Sequence, residues 1–479
     1  MPAGGYGVEL DTGDGVLRTA VEVTGAGTRP HRYGFVVDFA PGRDIAGVVD
    51  NIRRLHLTDV QFYDWAYRHA DLLGGGEEYA DALDQPVALE TVRRLIGAVH
   101  GAGSRALGYA AVYAVGPAEW DRWKHDAILA GDGAPYGLGD FLFLVDPSAP
   151  DWLEHFTGDL AAATEHLGFA GFHLDQYGYP KVARRADGGI ADLAEAFEVL
   201  IDRVRERLPQ SRLVFNNVND FPTWRTSSAA QDAVYIEVWD PTTTLSSLGA
   251  VVARARSVAA GKPVVIAAYQ HVYDSVPAPA ADLATSFTMA TLFSHGATQL
   301  LAGEADRILV DPYYVRNHEV EDSTAGLLRR WYDFLVEHGE VLTAGEVTDV
   351  TRSFAGAYND DCDVSYASAV VATEAQPGTV WRRITTAGGR LVLHLVNLVG
   401  QEVQLWDGAK TTPAHVGTGT LRLRTVAGCV PRVRVADPDR TPRLVDVDVT
   451  VDGAYATAIL PEPHVWQLVL VDLVPQEAS

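Results

Sequence analysis

The sequence predicts an α/β protein: a (β/α)8 TIM barrel with a short N-terminal β segment and a C-terminal antiparallel β-sandwich domain. Three observations support this fold class. Between residues 33 and 340, short apolar runs alternate with amphipathic helical stretches, which is typical of βα units and a parallel sheet. Eight such runs occur, and they favour a closed barrel because closure removes the exposed sheet edges. After about residue 341 the helical periodicity stops, and strand-like runs separated by turn residues follow.

The candidate barrel strands are short apolar runs, each leading towards a helical stretch. These strands are residues 33–39, 58–63, 104–113, 171–175, 212–217, 234–239, 263–269 and 298–302. The amphipathic stretches among them include residues 89–100, 152–167, 190–208, 246–260, 280–295 and 326–338. We interpret the apolar run at residues 141–145 as a loop insertion in the third βα unit.

Three domains follow from these patterns. Residues 1–32 alternate apolar and polar side chains, which predicts a few strands in a segment too short for a full sandwich. Residues 33–340 form the predicted catalytic barrel, and residues 341–479 form the predicted β-sandwich. The sandwich strands are residues 379–385, 390–395, 420–424, 430–435, 444–451, 454–460 and 464–471.

The composition is that of a globular protein with a substantial core, since 47% of the 479 residues are hydrophobic and 21% are charged. The net charge is −25 with histidine neutral, which repels phosphate backbones and anionic lipid. We therefore expect no nucleic acid partner and no membrane partner. A neutral sugar is compatible with this charge, although acidity equally serves only to keep a protein in solution.

Two cysteines, Cys362 and Cys429, give no disulfide framework, and whether they pair is left open. We find no CxxC motif and no cluster of zinc ligands, so we expect neither a metal nor another cofactor. The first residues lack a basic region followed by an apolar region, and no apolar run reaches the roughly 20 residues of a membrane helix. The chain as given is expected to be cytoplasmic, or secreted if a leader was removed.

Carboxylates follow three of the predicted strands, at the barrel end where active sites lie. Asp64 comes just after the second strand, Asp175 ends the fourth, and Glu237 lies in the last residues of the sixth. A carboxylate beside an apolar strand is costly unless it is paired or used in chemistry. Two such groups close together separate each other's pKa values, which is what a glycosidase needs for a nucleophile and a general acid. Retaining enzymes hold them about 5–5.5 Å apart and inverting enzymes about 6.5–9.5 Å, a gap that sequence does not measure.

Aromatic and amide side chains near these strand ends suit a sugar, because rings cover its C–H faces and amides bind its hydroxyls. The predicted substrate-binding residues are Asp64, Tyr63, Trp65, Arg68, His69, Tyr113, Gln176, Tyr177, Asn216, Asn217, Trp239, Tyr269, Gln270, His271 and Glu304. Structural alternatives remain open for the carboxylates. Asp175 could cap the helix after its strand, Glu237 could pair with a barrel arginine, and Asp64 could orient its neighbours at positions 68 and 69.

These motifs resemble a known family. Residues 62–69 (FYDWAYRH), 171–178 (GFHLDQYG) and 235–239 (YIEVW) are similar to glycoside hydrolase family 66. That family contains endo-dextranases and cycloisomaltooligosaccharide glucanotransferases. Residues 32–35 and 293–296 fit it as well, and the similarity extends from about residue 15 to the C-terminus. Each motif is weak alone, and the set is fairly specific.

The resemblance implies cleavage of α-1,6-glucosidic bonds with retention of configuration. It implies that Asp175 is the nucleophile, that Glu237 is the acid/base, and that Asp64 binds substrate at the −1 subsite. Residues 1–32 would be the truncated remnant of an immunoglobulin-like domain found in the family. The family's glucanotransferases also carry a long carbohydrate-binding insertion within or beside the barrel, whereas here Tyr269, Gln270 and His271 lead directly into the next helix, which argues against cyclisation.

The expected function is therefore a retaining glycoside hydrolase acting on dextran or isomaltooligosaccharides through a covalent glycosyl-enzyme. Its partner would be an oligo- or polysaccharide of the α-glucan class. One alternative is a transglycosylase, a cyclase or a hydrolase of cyclic isomaltooligosaccharides. Another, from a different class, is a non-catalytic α-glucan-binding protein, since a barrel does not itself imply an activity.

Overall fold

A computed structural model describes residues 1–13, 15–25, 31–344, 346–354, 359–426 and 429–475. At its centre is a parallel sheet of eight strands in which each strand pairs with the next one along the chain. We number these barrel strands first to eighth in chain order. They are Tyr33–Val36, Asp59–Phe62, Arg105–Ala111, Gly171–Asp175, Arg212–Val218, Ala233–Glu237, Val264–Ala267 and Ala297–Leu300. The prediction of a TIM-barrel fold is thus confirmed.

The first and eighth strands meet through close backbone contact, which brings the sheet nearly into a closed barrel. A Cβ atom at Gly303 would collide with the backbone of Phe35, and one at Gly34 would lie 2.8 Å from the carbonyl oxygen of Ala302. The Thr298 hydroxyl also donates to the His31 carbonyl at 2.7 Å. Glycine is needed at these positions because a side chain would hold the two strands apart.

Helices cover the outside of the barrel and connect its strands. They are Ile45–Arg54, Leu89–Gly101, Pro150–Leu167, Leu193–Arg207, Leu245–Val258, Ala278–His295 and Asp322–Glu337. Shorter helical turns are Trp120–Trp123, Lys124–Asp126, Thr223–Thr226, His271–Asp274, Tyr314–Arg316, Gly339–Leu342 and Thr351–Phe354. Local sequence fixes several ends: the Asp44 side chain accepts the amides of Ala46 and Gly47, and Gly296 ends its helix with a left-handed φ of 85°.

Ala278–His295 differs from the expected amphipathic pattern because almost all of its residues from Ala281 onwards are buried. The helix lies between the barrel and the C-terminal sheets. The Thr288 hydroxyl donates to the carbonyl of Trp406, and the Arg383 guanidinium donates to the carbonyl of Ser294. A helix covered on both sides shows no polar face, which explains its Ala- and Thr-rich sequence.

Small sheets extend the barrel at its loops and at the N-terminus. After the third strand, Ala114–Val115, Gly137–Leu138 and Leu142–Leu144 form an antiparallel sheet outside the barrel, as the insertion interpretation predicted. The N-terminal strands Gly4–Asp11 and Val16–Val23 form a hairpin. The remaining loop strands are Glu78–Ala80, Pro86–Ala88, Ile128–Leu129, Val182–Arg185, Ile190–Asp192, Arg307–Ile308 and His318–Glu319.

Two further sheets follow the barrel and enclose a second apolar core. Neighbours in the larger sheet are antiparallel, except that Val370–Ala372 runs parallel to Thr379–Ala387. The larger sheet contains Thr348–Asp349, Val370–Ala372, Thr379–Ala387, Arg390–Asn397, Cys429–Asp437, Thr441–Val447 and Trp466–Pro475. The smaller sheet contains Cys362–Tyr366, Gly419–Arg424, Val449–Asp452 and Tyr455–Leu460. Cys362 and Cys429 are free thiols.

A buried charge cluster lies at the amino-terminal end of the barrel strands. Asp59, the first residue of the second strand, accepts two hydrogen bonds from Arg105 at 2.7 and 3.0 Å and lies 2.7 Å from His31. Burial raises the pKa of Asp59, but His31, Arg105 and Arg212 lower it more, so this pKa lies well below its ordinary value. This end of a barrel contributes to stability rather than to chemistry.

Within the described residues, no helix is long and apolar enough to cross a membrane.

Candidate active site

Asp175 and Glu237 meet at the carboxyl end of the barrel. Asp175 is the last residue of the fourth strand and Glu237 the last residue of the sixth. Asn216, on the fifth strand between them, donates through Nδ2 to Asp175 Oδ1 at 2.7 Å and to Glu237 Oε2 at 3.0 Å. Parallel pairing brings these positions together because the carboxyl ends of parallel strands lie at one edge of the sheet.

The shared Asn216 nitrogen limits the distance between the two carboxyl groups. Because that nitrogen lies 2.7 Å from one oxygen and 3.0 Å from the other, the two oxygens are at most about 5.7 Å apart. This limit includes the separation of about 5–5.5 Å typical of retaining glycosidases and lies below the roughly 6.5–9.5 Å of inverting ones.

Each carboxyl group has a second donor, a tyrosine hydroxyl. Tyr109, on the third strand, donates to Asp175 Oδ2 at 2.7 Å, and Tyr269 donates to Glu237 Oε1 at 2.8 Å. All four carboxyl oxygens therefore accept a hydrogen bond from this chain. Glu237 is bonded by an amide and a phenol and not by the barrel arginine considered as its alternative partner.

The surroundings of both carboxyl groups favour their neutral forms. Burial, followed by the proximity of Glu237, raises the pKa of Asp175, while Asn216 and Tyr109 lower it. Burial also raises the pKa of Glu237, against the lowering effect of Asn216 and Tyr269. Two buried acids at this distance do not ionise together readily, so their proximity favours a state in which the pair shares a single proton.

A cleft of about 240 Å³ opens above these carboxyl groups. Its walls are mainly aromatic: Tyr63 stacks on Tyr314 with ring centroids 4.2 Å apart, and Trp239 lies against Tyr269 at 5.8 Å. The lining residues are Gln61, Tyr63, Tyr109, Leu138, His173, Asp175, Gln176, Tyr177, Tyr179, Asn216, Val218, Tyr235, Glu237, Trp239, Tyr269, Pro312, Tyr313 and Tyr314.

Several predicted binding residues lie in this cleft and others do not. Those that line it are Tyr63, Gln176, Tyr177, Asn216, Trp239 and Tyr269, together with both carboxyl groups. Asn217, by contrast, is fully buried; it donates to the carbonyl of Tyr235 and accepts from the hydroxyl of Thr226. The reason is strand geometry, because adjacent residues of a strand point to opposite faces.

Trp65 and Tyr113 lie behind the cleft, contrary to expectation. The Trp65 indole is fully buried, donates to the Tyr109 carbonyl at 3.1 Å, and fits against Gly108. Asp64, with a φ of 49°, turns the chain just before Trp65. The buried Tyr113 hydroxyl donates to the carbonyl of Tyr179 and accepts the amide of Tyr177. Tyr113 thus supports the cleft wall from behind.

Arg68 and Glu304 also form structural contacts outside the cleft. Arg68 lies over the ring of Tyr67 and donates to the carbonyl of Ala80 at 2.9 Å. Glu304 is ion-paired with Arg43 and accepts the backbone amide of Val37.

Two residues after the seventh strand have different surroundings. Gln270 is fully buried and accepts the hydroxyl of Thr285 at 3.2 Å. His271 is part-exposed and contacts Asp407, from the C-terminal part of the chain, at 3.0 Å. Neither side chain lines the cleft, but the His271 ring lies edge-on to the ring of Tyr269, which does line it, with centroids 6.3 Å apart.

Asp64 and His69 lie close to the cleft without lining it. Burial raises the pKa of Asp64 well above its ordinary value, with further contributions from Asp81 and Asp175. Burial lowers the pKa of His69 to about 4, so this imidazole is neutral at physiological pH. Its ring centroid lies 6.3 Å from that of Tyr109.

Tyr109 contacts Asp175, although no sequence motif marks it as a site residue. Tyr109 lies within a long apolar strand, and its polar atom reaches the site only through the length of its ring. Tyr179, Tyr313 and Tyr314 stand out from the sequence only as aromatic residues near the strand ends. His173 lies in the cleft floor and makes a 2.9 Å hydrogen bond to Tyr33, a contact between strands that are distant in sequence.

Among the residues that the structure describes, no group of three or more His, Cys, Asp or Glu side chains is arranged to hold a metal ion.

Comparison with known proteins first establishes the class of the fold. A Paenibacillus sp. cycloisomaltooligosaccharide glucanotransferase, solved with cycloisomaltoheptaose, superposes with a TM-score of 0.85 over 97% of this chain and 88% of that chain at 17% identity. The α-L-fucosidase isoenzyme 2 of Paenibacillus thiaminolyticus superposes with a TM-score of 0.61 over 94% of this chain and all of that chain (100%), at 9% identity. The fold is therefore that of the TIM-barrel glycosidases.

Sequence comparison then establishes the family. The sequence model of the family described as "Glycosyl hydrolase family 66" matches residues 3–470. The chain therefore belongs to that family. A cycloisomaltooligosaccharide glucanotransferase of Niallia circulans is 26% identical over 301 residues, which cover 57% of this chain and 31% of the relative. A dextranase of Streptococcus salivarius is 27% identical over 118 residues, which cover 23% of this chain and 14% of the relative. The match thus spans about a third or less of the length of these curated relatives.

Proposed function

We propose that this protein is a retaining glycosidase that cleaves α-1,6-glucosidic bonds in dextran or isomaltooligosaccharides. The observation that supports this proposal most directly is the Asn216 amide bonded to both Asp175 and Glu237, because it limits two of their oxygens to a separation below that of inverting enzymes. Family membership and the names of the relatives, a glucanotransferase and a dextranase, support the choice of linkage.

The proposed reaction has two steps. In the first, Glu237 donates its proton to the glycosidic oxygen while a carboxylate oxygen of Asp175 attacks the anomeric carbon, which forms a glycosyl ester and releases the leaving sugar. In the second, water attacks the same carbon, Glu237 takes the water's proton, and the Asp175 carboxylate leaves. The family resemblance assigns these two roles, since each acid has the same number of donors.

The surrounding residues suit this chemistry. A cleft of about 240 Å³ is smaller than the roughly 300–1,000 Å³ of a typical ligand pocket, so it accommodates one sugar ring at the reacting centre. The faces of Tyr63 and Trp239 offer apolar contact for that ring. Asp64 and His69, close behind Tyr109, are proposed to position the −1 sugar or the residues that touch it.

A product profile tests the proposal. Wild-type protein should release isomaltooligosaccharides from dextran and smaller fragments from isomaltotetraose, and the Asp175→Asn variant should fold and release neither. Incubation with a cyclic isomaltooligosaccharide distinguishes the ring-opening and cyclising alternatives. Saturable binding of isomaltotetraose with no cleavage on long incubation would instead support a non-catalytic glucan-binding protein.

A further inference from the structure

A segment of the C-terminal region, residues 403–410, lies against the two barrel loops beside Glu237. The Trp406 indole donates to the Thr242 carbonyl at 2.7 Å, and the Trp406 amide donates to the Thr243 carbonyl at 3.1 Å. Both threonines belong to the loop that follows the sixth strand. On the other side, Asp407 accepts the backbone amide of Val272, after the seventh strand, at 2.9 Å. The segment therefore joins the loops that follow the sixth and seventh strands, and the sixth strand ends at the proposed acid/base.

Contacts within the segment hold it in one conformation. Lys410 is buried; its ammonium donates to the carbonyls of Val403 and Leu405. The carbonyl of Gln404 accepts the amide of Leu245 at 2.9 Å, which attaches the segment to the first residue of the next barrel helix. A buried lysine that donates to carbonyl groups is expensive to displace, so the segment is suited to positioning a neighbour.

That neighbour is His271. Asp407 Oδ2 lies 3.0 Å from His271 Nδ1, and Oδ1 is engaged by the Val272 amide, so the carboxylate is held at both oxygens. The hydrogen bond to Asp407 raises the pKa of His271 above its ordinary value. Among the described residues, the side-chain hydrogen bond of the His271 ring is made through Nδ1, and 45% of the side chain is exposed. When Nδ1 holds the ring in place, Nε2 has a fixed orientation towards any bound ligand.

The position of His271 relative to Glu237 indicates which part of the substrate His271 would contact. The Tyr269 hydroxyl donates to Glu237, and the His271 ring lies edge-on to the Tyr269 ring at 6.3 Å. Trp239, two residues after Glu237, also lies against Tyr269, with ring centroids 5.8 Å apart. A general acid must reach the oxygen that joins the reacting sugar to the leaving group. Residues on the far side of the general acid from the nucleophile therefore face the leaving group.

We propose that His271, positioned by Asp407, binds the sugar that leaves in the first step and the sugar that accepts the glycosyl group when transfer replaces hydrolysis. This inference rests on the proposed function. In transfer, an acceptor hydroxyl attacks the anomeric carbon of the glycosyl ester on Asp175, Glu237 takes the hydroxyl proton, and the carboxylate leaves. His271 Nε2 would bond a hydroxyl of that acceptor, and the face of Trp239 would contact its ring.

The test compares variants with dextran as donor and isomaltose as acceptor, measuring transfer products against hydrolysis products by chromatography. His271→Ala should lower the transfer-to-hydrolysis ratio about three- to tenfold and raise the isomaltose concentration needed for half-maximal transfer, as the loss of one hydrogen bond predicts. Asp407→Asn should act in the same direction more weakly, and the double variant should match His271→Ala, because the two residues act as one unit. His271→Gln should restore part of the ratio.

A matched control is His415→Ala. It removes another His–carboxylate contact, in which His415 Nδ1 lies 3.1 Å from a carboxyl oxygen of Glu462 in the C-terminal region. This control should leave the ratio unchanged. An unchanged ratio in His271→Ala, an equal loss in His415→Ala, or a wild type that cleaves dextran without any transfer to isomaltose would overturn the inference and leave the proposed function standing. A folded wild type that cleaves no α-glucan would overturn both.

Discussion

Asp175 and Glu237 accept hydrogen bonds from one and the same donor, the side-chain nitrogen of Asn216, at 2.7 and 3.0 Å. This relationship limits the separation of the two acids and lowers the pKa of both. An amide nitrogen has two hydrogens, so it can serve both acids at once without itself being charged. The separation argues for double displacement. The shared amide donor stabilises whichever carboxyl group is ionised at each step.

Replacing Asn216 should therefore impair chemistry more than folding. Asn216→Ala should lower kcat about 10- to 100-fold, since a hydrogen bond to a charged group contributes about 1.5–3 kcal/mol. Asn217→Ala is the matched control on the outward face of the same strand. It should leave kcat unchanged and reduce the free energy of unfolding by about 1–3 kcal/mol, because the Tyr235 carbonyl and Thr226 hydroxyl lose a buried partner. Kinetics and chemical denaturation of both variants check this; a reversed pattern would contradict the placement of the two side chains.

The two tyrosines should affect opposite limbs of the pH profile. Tyr109 and Tyr269 each lower the pKa of the carboxyl group to which they donate. Tyr109→Phe should therefore raise the pKa of Asp175 and move the acidic limb of kcat/KM to higher pH by about half to one unit. Tyr269→Phe should raise the pKa of Glu237 and move the basic limb upwards by a similar amount. If both variants move the same limb, the role assignment is wrong.

Azide rescue separates the nucleophile from the acid/base. In Asp175→Ala, azide should attack in place of the missing carboxylate and give a product of inverted configuration, a β-glycosyl azide from an α-linked substrate with a good leaving group. In Glu237→Ala, azide should instead attack the glycosyl ester and give the α-glycosyl azide. The product anomer is read by proton NMR. If Asp175→Ala gave the α-glycosyl azide and Glu237→Ala the β-glycosyl azide, Glu237 would be the nucleophile and Asp175 the acid/base.

The buried charge cluster at the other end of the barrel should control acid stability. Because the folded-state pKa of Asp59 lies below the ordinary value of about 3.9, its stabilising contribution is present above that pH and is lost as the pH falls below it. Asp59→Asn should reduce the free energy of unfolding at pH 7 by about 3–5 kcal/mol, since Arg105 then lacks a buried counter-charge. The variant should also lose less stability than wild type between pH 5 and pH 3.

Urea denaturation at each pH tests this, with Asp452→Asn, an exposed position in the smaller C-terminal sheet, as the control. Equal pH dependence in wild type and Asp59→Asn would mean that this carboxylate does not determine acid stability. Activity at pH 7 should be retained by the Asp59→Asn molecules that remain folded, since the cluster lies at the opposite end of the strands from Asp175.

The sequence was informative where chemistry follows strand periodicity. The fourth and sixth strands end in acids, and parallel strands bring such ends together, so the position of Asp175 beside Glu237 followed from pattern alone. Pattern did not separate Asn216 from Asn217, because both follow an apolar run and only the register of the strand decides which faces inwards. Trp65 was misplaced because a single left-handed residue before it redirects the chain.

Contacts between distant parts of the chain were beyond sequence reasoning. Asp407 lies 136 positions from His271, and no motif connects them. The ion pair of Arg43 with Glu304 similarly accounts for a carboxylate that strand position alone suggested as a binding residue. Tyr109 was missed because a tyrosine inside an apolar strand is normally core, and only the fold shows its hydroxyl beside Asp175.

The most direct test of the account is the configuration of the first product. Wild-type protein is mixed with an α-1,6-linked isomaltooligosaccharide, and the anomeric protons of the released sugar are followed by NMR before mutarotation. Two carboxyl oxygens at most about 5.7 Å apart predict that the α-anomer appears first. If the β-anomer appears first, cleavage proceeds by single displacement, and the double-displacement mechanism through Asp175 is wrong.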